Sequence, residues 1–251
     1  MPSAVALVPA RAGSERVPGK NLLELAGHPL IAYAIAGAHE AGVFDAVVVS
    51  TDSEEIAAVA RRYGAEVPEL RPAELATATS ADYEWIQHMR AVLERAGRSF
   101  ELFSILRPTS PFRTGATIRR AWDALLAHGD GADSIRAVEL CRQHPGKMWV
   151  IEGELMRPLL EQPSDGQPLH SRQYKSLPPV YAQNSSLEIA WTRVLDDPGD
   201  ISGRRVVPFL TEGAEGLSID YFDDVAAAER LLERGEARLP EVHTGATAEA
   251  T

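Results

Sequence analysis

Ala4-Val-Ala-Leu-Val-Pro9 is an unbroken apolar run, the pattern of a strand covered on both faces. A loop rich in Gly, Pro and Lys follows. Apolar residues then recur at helical spacing from Pro29 to Glu40, with proline suited to the first turn. Ala46-Val-Val-Val-Ser50 predicts a second buried strand, and Asp52 or Ser53 caps a helix that runs to about Tyr63 and stops at Gly64. A helix over Asp82–Arg95, a strand over Leu102–Leu106, a helix over Thr114–His128 and a strand over Asp133–Val138 continue the alternation.

Strands alternating with helices at this spacing predict a three-layer α/β fold, a mostly parallel sheet with helices on both faces. Ligands in such sheets bind beyond the carboxyl ends of the strands, which directs attention to the loops after Pro9, Ser50 and Leu106. The pattern changes between about 141 and 180, where short extended pieces such as Lys147–Ile151 are separated by Gly, Pro and polar residues. This reads as an extended insertion that leaves the main sheet and pairs with a second subunit. Core patterning resumes at Ser186–Trp191 and Arg205–Phe209 and ends in a helix over Asp223–Arg234. The expected organisation is one domain over 1–235 interrupted by the insertion, with a flexible tail over 236–251.

At 251 residues the chain is long enough for a full core without covalent staples. The single cysteine, Cys141, excludes an intrachain disulfide and cannot hold zinc alone, which fits a reducing cytoplasm. Membrane spanning is not expected, since no apolar run approaches the roughly 20 residues required. A net charge of −11 disfavours nucleic acid and anionic membranes as partners. An acidic protein that handles polyphosphate must gather cations locally, and this chain does so between Pro9 and Asn21. No Gly-x-Ser-x-Gly element appears, and His28, His39, His88, His128, His170 and His243 form no cluster by spacing.

Pro9-Ala-Arg-Ala-Gly-Ser-Glu-Arg-Val-Pro-Gly-Lys-Asn21 carries Gly13 and Gly19 with Arg11, Arg16 and Lys20. Glycines let backbone N–H groups approach phosphate oxygens while cations neutralise them. On composition alone it could equally be a surface loop with solvated cations. The full string closely resembles the nucleotide-binding signature of the cytidylyltransferases that make CMP-sialic acid and related CMP–acidic sugars. The resemblance implies a nucleotide-diphospho-sugar transferase-like fold. It also implies CTP bound by Ala10, Arg11, Gly13, Ser14, Arg16, Lys20 and Asn21, with Arg11 and Lys20 on the triphosphate. Glu15 departs from the lysine usual in that family.

Further stretches match in order. Val47–Ile56 resembles the family's second strand and helix start, and Arg71-Pro-Ala-Glu-Leu-Ala76 resembles an element whose arginine lies near the nucleotide. Taken alone, Arg71 reads equally well as a solvated loop arginine. Leu106-Arg-Pro-Thr-Ser-Pro-Phe-Arg113 has Arg107 where the family usually has an acceptor-contacting glutamine. The resemblance places Arg107, Thr109, Ser110, Lys147, Arg172 and Gln173 at the acceptor, the last three from the dimerisation insertion. Three unpaired cations among them imply an anionic acceptor.

Ser218-Ile-Asp-Tyr-Phe-Asp-Asp resembles the family's closing Mg²⁺ element, with Asp220 aligned to its second aspartate and Ser218 in the place of the first. Mg²⁺ takes few carboxylates when substrate phosphates supply oxygens, so Asp220 is the expected ligand. The plainer reading makes Asp220 a turn residue, with Asp223 or Asp224 capping the last helix. The resemblance implies CMP transfer from CTP to an anionic, sialic-acid-like keto sugar with release of pyrophosphate, catalysed by a cytoplasmic homodimer through Arg11, Lys20 and Asp220. The alternatives are a sugar phosphate or phosphonate acceptor, or GTP as donor, and a non-catalytic nucleotide- or sugar-binding relative.

Overall fold

A computed structural model describes residues 1–164 and 166–244. In chain order its elements are β1 (Ala4–Pro9), a short hairpin β2 (Glu24–Leu25) and β3 (His28–Pro29), α1 (Leu30–Ala41), β4 (Ala46–Ser50), α2 (Glu54–Arg62), α3 (Asp82–Arg95), β5 (Leu102–Ile105), α4 (Gly115–Ala127), β6 (Ser134–Leu140), β7 (Trp149–Glu152), β8 (Leu155–Pro158), β9 (Tyr181–Trp191), β10 (Val206–Leu210) and α5 (Phe222–Glu233). The chain divides into two compact units, Met1–Ala137 with the segment from Asn184 onward, and Val138–Gln183.

In the larger unit the sheet order is β10-β6-β9-β5-β1-β4. β1 pairs in parallel with β4 on one side and with β5 on the other, whereas β9 runs antiparallel to β5. The sheet is therefore mostly parallel where the site lies. Alternate residues of β1 feed different layers, as a side-chain period of two requires. Ala4, Ala6 and Val8 pack with Ile31 and Ile35 of α1, Ile56 of α2 and Ile118 and Trp122 of α4. Val5 and Leu7 pack on the opposite face with Trp85, Ile86 and Met89 of α3. A third cluster joins Leu25 and Tyr33 to Ile219 and Ala228 of α5.

The capping signals act as their chemistry dictates. Ser53 Oγ accepts from the amide of Ile56 at 3.3 Å, and Thr114 Oγ1 accepts from Thr117 at 3.3 Å. At α5 the acidic residue in use is Asp224. Its Oδ2 accepts from the amides of Asp220 at 2.8 Å and Tyr221 at 2.7 Å, fixing the backbone just before the helix.

The smaller unit is built from the antiparallel hairpin β7–β8 and several tight turns. His144 Nε2 pairs with the carbonyl of Pro178 at 2.9 Å, and the Tyr174 hydroxyl donates to that of Cys141 at 2.7 Å. Leu177 is its one buried hydrophobic residue among those described, while Ile151, Leu155 and Met156 are exposed by 77%, 79% and 59%.

The tail expectation is corrected in part. Ala237, Leu239 and Val242 pack against the α5 cluster, and the Glu241 amide donates to Glu40 at 2.5 Å. Apolar residues at 237, 239 and 242 find partners that the Ala/Thr/Glu composition did not suggest. Residues 245–251 lie outside the described chain.

Close approach of α1 and α4 fixes one glycine. A Cβ at Gly115 would lie 2.5 Å from Glu40 Cβ and 2.7 Å from the Ala41 amide nitrogen. Gly115→Ala is expected to cost about 1–3 kcal/mol through overpacking. Equilibrium urea unfolding measures it, and an unchanged midpoint and slope would contradict this account of the packing.

Candidate functional site

The carboxyl ends of β1, β4 and β5 open onto a cavity of about 420 Å³ that lies within the larger unit, inside the roughly 300–1,000 Å³ range of small-molecule sites. One wall is the loop after β1. The Ala10 amide extends the β1–β4 pairing by donating to Ser50 O at 2.9 Å, and the Ala12 amide donates to Asp52 Oδ1 at 2.8 Å. Buried Val17 anchors the middle, and Gly19 turns the chain at φ 66°, a conformation that favours glycine. Asn21 Nδ2 then donates to the carbonyl of Arg11 at 2.9 Å, locking the two ends of the loop together.

Arg11, Arg16, Lys20, Arg71 and Arg107 line the cavity, against Glu15, Asp82 and Asp220. The lining is thus net positive in a protein of net charge −11. Lys20 Nζ donates to Asp220 Oδ1 at 3.0 Å, and Arg16 lies 3.8 Å from the same oxygen while its guanidinium carbon sits 5.4 Å from the Tyr221 ring centroid. Burial pushes the Asp220 carboxyl up, but the Lys20 hydrogen bond and the charges of Lys20 and Arg16 outweigh it, so the group is held below its ordinary range. Ser218 adds to this from nearby; its Oγ is buried and outside hydrogen-bond geometry with any partner among the described residues.

On the other side, Arg71 is almost fully buried. Its Nε and NH2 donate to Ser50 Oγ at 3.0 Å and Ser50 O at 2.8 Å, and its guanidinium carbon lies 4.9 Å from the Trp85 ring centroid. Burial draws its pKa down to about 10, against the charges of Asp52 and Asp82, so it remains cationic at neutral pH. Arg107 donates to Asp82 Oδ2 at 2.6 Å and to Glu188 Oε1 at 3.3 Å, and Glu188 also meets Arg136 at 2.7 Å. Buried Arg113 holds the carbonyls of Arg107 and Ser186 and so fixes the segment that carries Arg107.

Of the residues singled out from sequence, Arg11, Ser14, Arg16, Lys20, Asn21, Arg71, Arg107, Thr109 and Asp220 line this cavity. Ala10 is buried beneath the loop, and Gly13 lies in the loop outside the lining. Ser110 is corrected: it is 1% exposed and points into the protein. Lys147, Arg172 and Gln173 belong to the smaller unit. There Lys147 Nζ donates to the carbonyls of His170 at 3.1 Å and Arg172 at 2.7 Å, and Arg172 Nε donates to Gln167 O at 2.8 Å.

The picture of three unpaired cations is therefore corrected, because Arg107 is already neutralised by two carboxylates. Sequence reading passed over Asp82, Trp85, Glu188 and Arg113. Glu188 carried a signal: an acid inside the apolar run Ser186–Trp191 requires a charged partner once buried.

Among the described residues no three His, Cys, Asp or Glu side chains gather to hold a metal. Asp220 with the orphaned Ser218 hydroxyl fits a Mg²⁺ that brings phosphate oxygens with it, and does not form a stand-alone site.

A cation-lined cavity at the carboxyl ends of a mostly parallel sheet defines a nucleotide-handling α/β protein. Residues 5–125 match the cytidylyltransferase family model. The CMP-N,N'-diacetyllegionaminic acid synthase of Legionella pneumophila is 35% identical over 94% of this chain and 98% of its own. The N-acylneuraminate cytidylyltransferase of Escherichia coli is 42% identical over 47% of this chain and 27% of its own. In three dimensions the chain is similar to a CMP:2-keto-3-deoxy-manno-octonic acid synthetase complexed with CTP. The TM-score there is 0.65 at 13% identity, over 93% of this chain and 99% of that one, a likeness of fold. The chain belongs to the cytidylyltransferase family, among enzymes of the CMP–acidic-sugar type.

Burial pushes the Asp82 carboxyl up, but hydrogen bonds and charge from Arg107, with the Trp85 bond, hold it below its ordinary range. The stabilisation from this lowered group is complete above the unfolded-state value of about 3.9 and is lost as pH falls through the lower folded-state value. The gap in melting temperature between wild type and Asp82→Asn should stay level near neutrality and close in acid. A gap that widens toward acid would contradict the pairing.

Proposed function

We propose that the protein transfers CMP from CTP to an anionic keto sugar of the sialic-acid class, with release of pyrophosphate. The observation that carries this reading is the cavity itself, where the β1 loop gathers Arg11, Arg16 and Lys20 opposite Asp220 at the carboxyl edge of the sheet. The names and lengths of the relatives support it, since the Legionella synthase aligns over nearly its whole chain.

In this reading Arg11 and Lys20 bind the triphosphate, with Arg71 on the donor side and Arg107 and Thr109 on the acceptor side. An acceptor hydroxyl attacks the α-phosphorus in line; the new O–P bond forms as the bond to the pyrophosphate oxygen breaks, and the hydroxyl proton is released to solvent. The protein's part is to hold the two reactants in register and to neutralise charge as it moves onto pyrophosphate. Lys20 is placed to pass from Asp220 to the incoming phosphates, which frees the carboxylate. Asp220, with the Ser218 hydroxyl, would hold Mg²⁺, whose chemistry is to polarise phosphoryl oxygens and offset their charge. The test is pyrophosphate release with each nucleoside triphosphate and N-acetylneuraminate, a keto-octonate or a diacylated keto sugar. CTP with an acidic sugar should be the productive pair. Lys20→Ala should lose about 2–4 kcal/mol of transition-state stabilisation, the scale for a contact to developing charge. Near-wild-type turnover in that variant would overturn the loop assignment.

The same reading includes a homodimer formed through the 138–183 unit. The exposed Ile151, Leu155 and Met156 of its hairpin support this, because exposed apolar side chains on so small a unit, with one buried hydrophobic residue among those described, mark an interaction surface. Light scattering should give twice the chain mass, and Ile151→Glu with Leu155→Glu should halve it. A wild-type monomer at micromolar concentration would refute the assignment.

A further inference from the structure

Asp82 is the first residue of α3, and its carboxylate reaches toward both sides of the cavity. Oδ1 accepts from Trp85 Nε1 at 2.8 Å and more weakly from Arg107 at 3.4 Å, and Oδ2 accepts from Arg107 at 2.6 Å. The first contact follows from helix geometry, since residues three apart share a face. Trp85 is in turn the platform on which the Arg71 guanidinium lies, with Arg71 tied to Ser50 at the end of β4. One carboxylate thus joins the arginine on the donor side to the arginine on the acceptor side. The Arg107 nitrogen that donates to Asp82 Oδ2 also donates to Glu188 Oε1 at 3.3 Å, so removal of Asp82 loosens Arg107 without setting it free.

We propose that Asp82 is a positioning residue that sets the Trp85–Arg71 wall of the donor subsite and the Arg107 guanidinium of the acceptor subsite from a single carboxylate. The inference rests on the reading of this cavity as the site for CTP and an acidic sugar. It makes different variants fail in different ways. In Asp82→Asn the amide oxygen can keep the Trp85 bond and the long 3.4 Å contact with Arg107, whereas the amide nitrogen faces Arg107 donor to donor in place of the 2.6 Å bond, so the acceptor arm alone is weakened. Asp82→Ala breaks both arms. Trp85→Phe removes only the indole N–H and breaks the donor arm.

The experiment measures CTP affinity by isothermal titration and the acceptor KM and kcat by pyrophosphate release, with melting temperature as a control. Asp82→Asn should raise the acceptor KM about tenfold, the scale of one charge-assisted hydrogen bond, and leave CTP affinity within about twofold. Trp85→Phe should weaken CTP severalfold and leave the acceptor KM in place, and Asp82→Ala should do both. If Asp82→Asn shifts CTP and acceptor equally, or lowers only the melting temperature and kcat, the positioning role is wrong. If Asp82→Ala proves too unstable to assay, Trp85→Phe and Asp82→Asn still decide the matter through their opposite selectivities. Failure of wild type to use any acidic sugar would instead overturn the functional reading, while CTP titration of Asp82→Ala and Trp85→Phe would still test the Asp82–Trp85–Arg71 link.

Discussion

The parallel pairing of β1 with β4 on one side and β5 on the other is the constraint on which the site depends. It brings three strand ends to one edge of the sheet, so that the segments leaving Pro9, Ser50 and Ile105 must share a small space. The β1 loop borrows its first hydrogen bond from Ser50, and Arg71 is tied to the same residue. Ser50 is fully buried, which keeps both anchors out of competition with water. The cavity is thus a consequence of strand order, with its cations on loops that are anchored to the sheet.

Electrostatics then refine what the sheet edge collects. Three acidic groups have cationic partners: Asp220 has Lys20, and Asp82 and Glu188 share Arg107. The pairs of Asp220 and Asp82 hold both carboxylates below their ordinary range despite partial burial, where an unpaired charge would cost several kcal/mol. They also mean that a polyanion entering the cavity competes with resident carboxylates for Lys20. Arg11 and Arg16 add to the positive charge of the lining, Arg16 from an exposed side chain 3.8 Å from Asp220. A site arranged in this way recognises charge without exposing a bare cluster of like charges.

Regular elements and the cationic loop were legible in the residues. Continuous apolar runs at Ala4–Pro9 and Ala46–Ser50 mark strands buried on both faces, and Ser53 and Thr114 cap helices because a side-chain oxygen can satisfy an orphan amide. The ordered string of matches along the chain also led to the family. These signals are local, within a turn or two of chain, and local sequence determines local geometry.

What lay beyond sequence was pairing across distance. The insertion of β9 between β5 and β6, antiparallel to β5, follows from how the sheet fills its core, and no residue of β9 announces its neighbours. Arg107 read as an unpaired cation because its partners lie 25 and 81 positions away, and only folding places Asp82 and Glu188 against it. Ser110, four residues beyond Leu106, turned inward for the same reason, since the direction of a loop side chain is set by what packs around it. The sequence by itself determined the elements, the cationic loop and the family; the tertiary structure decided which charges meet, because a salt bridge acts over a few ångströms of space at any separation along the chain.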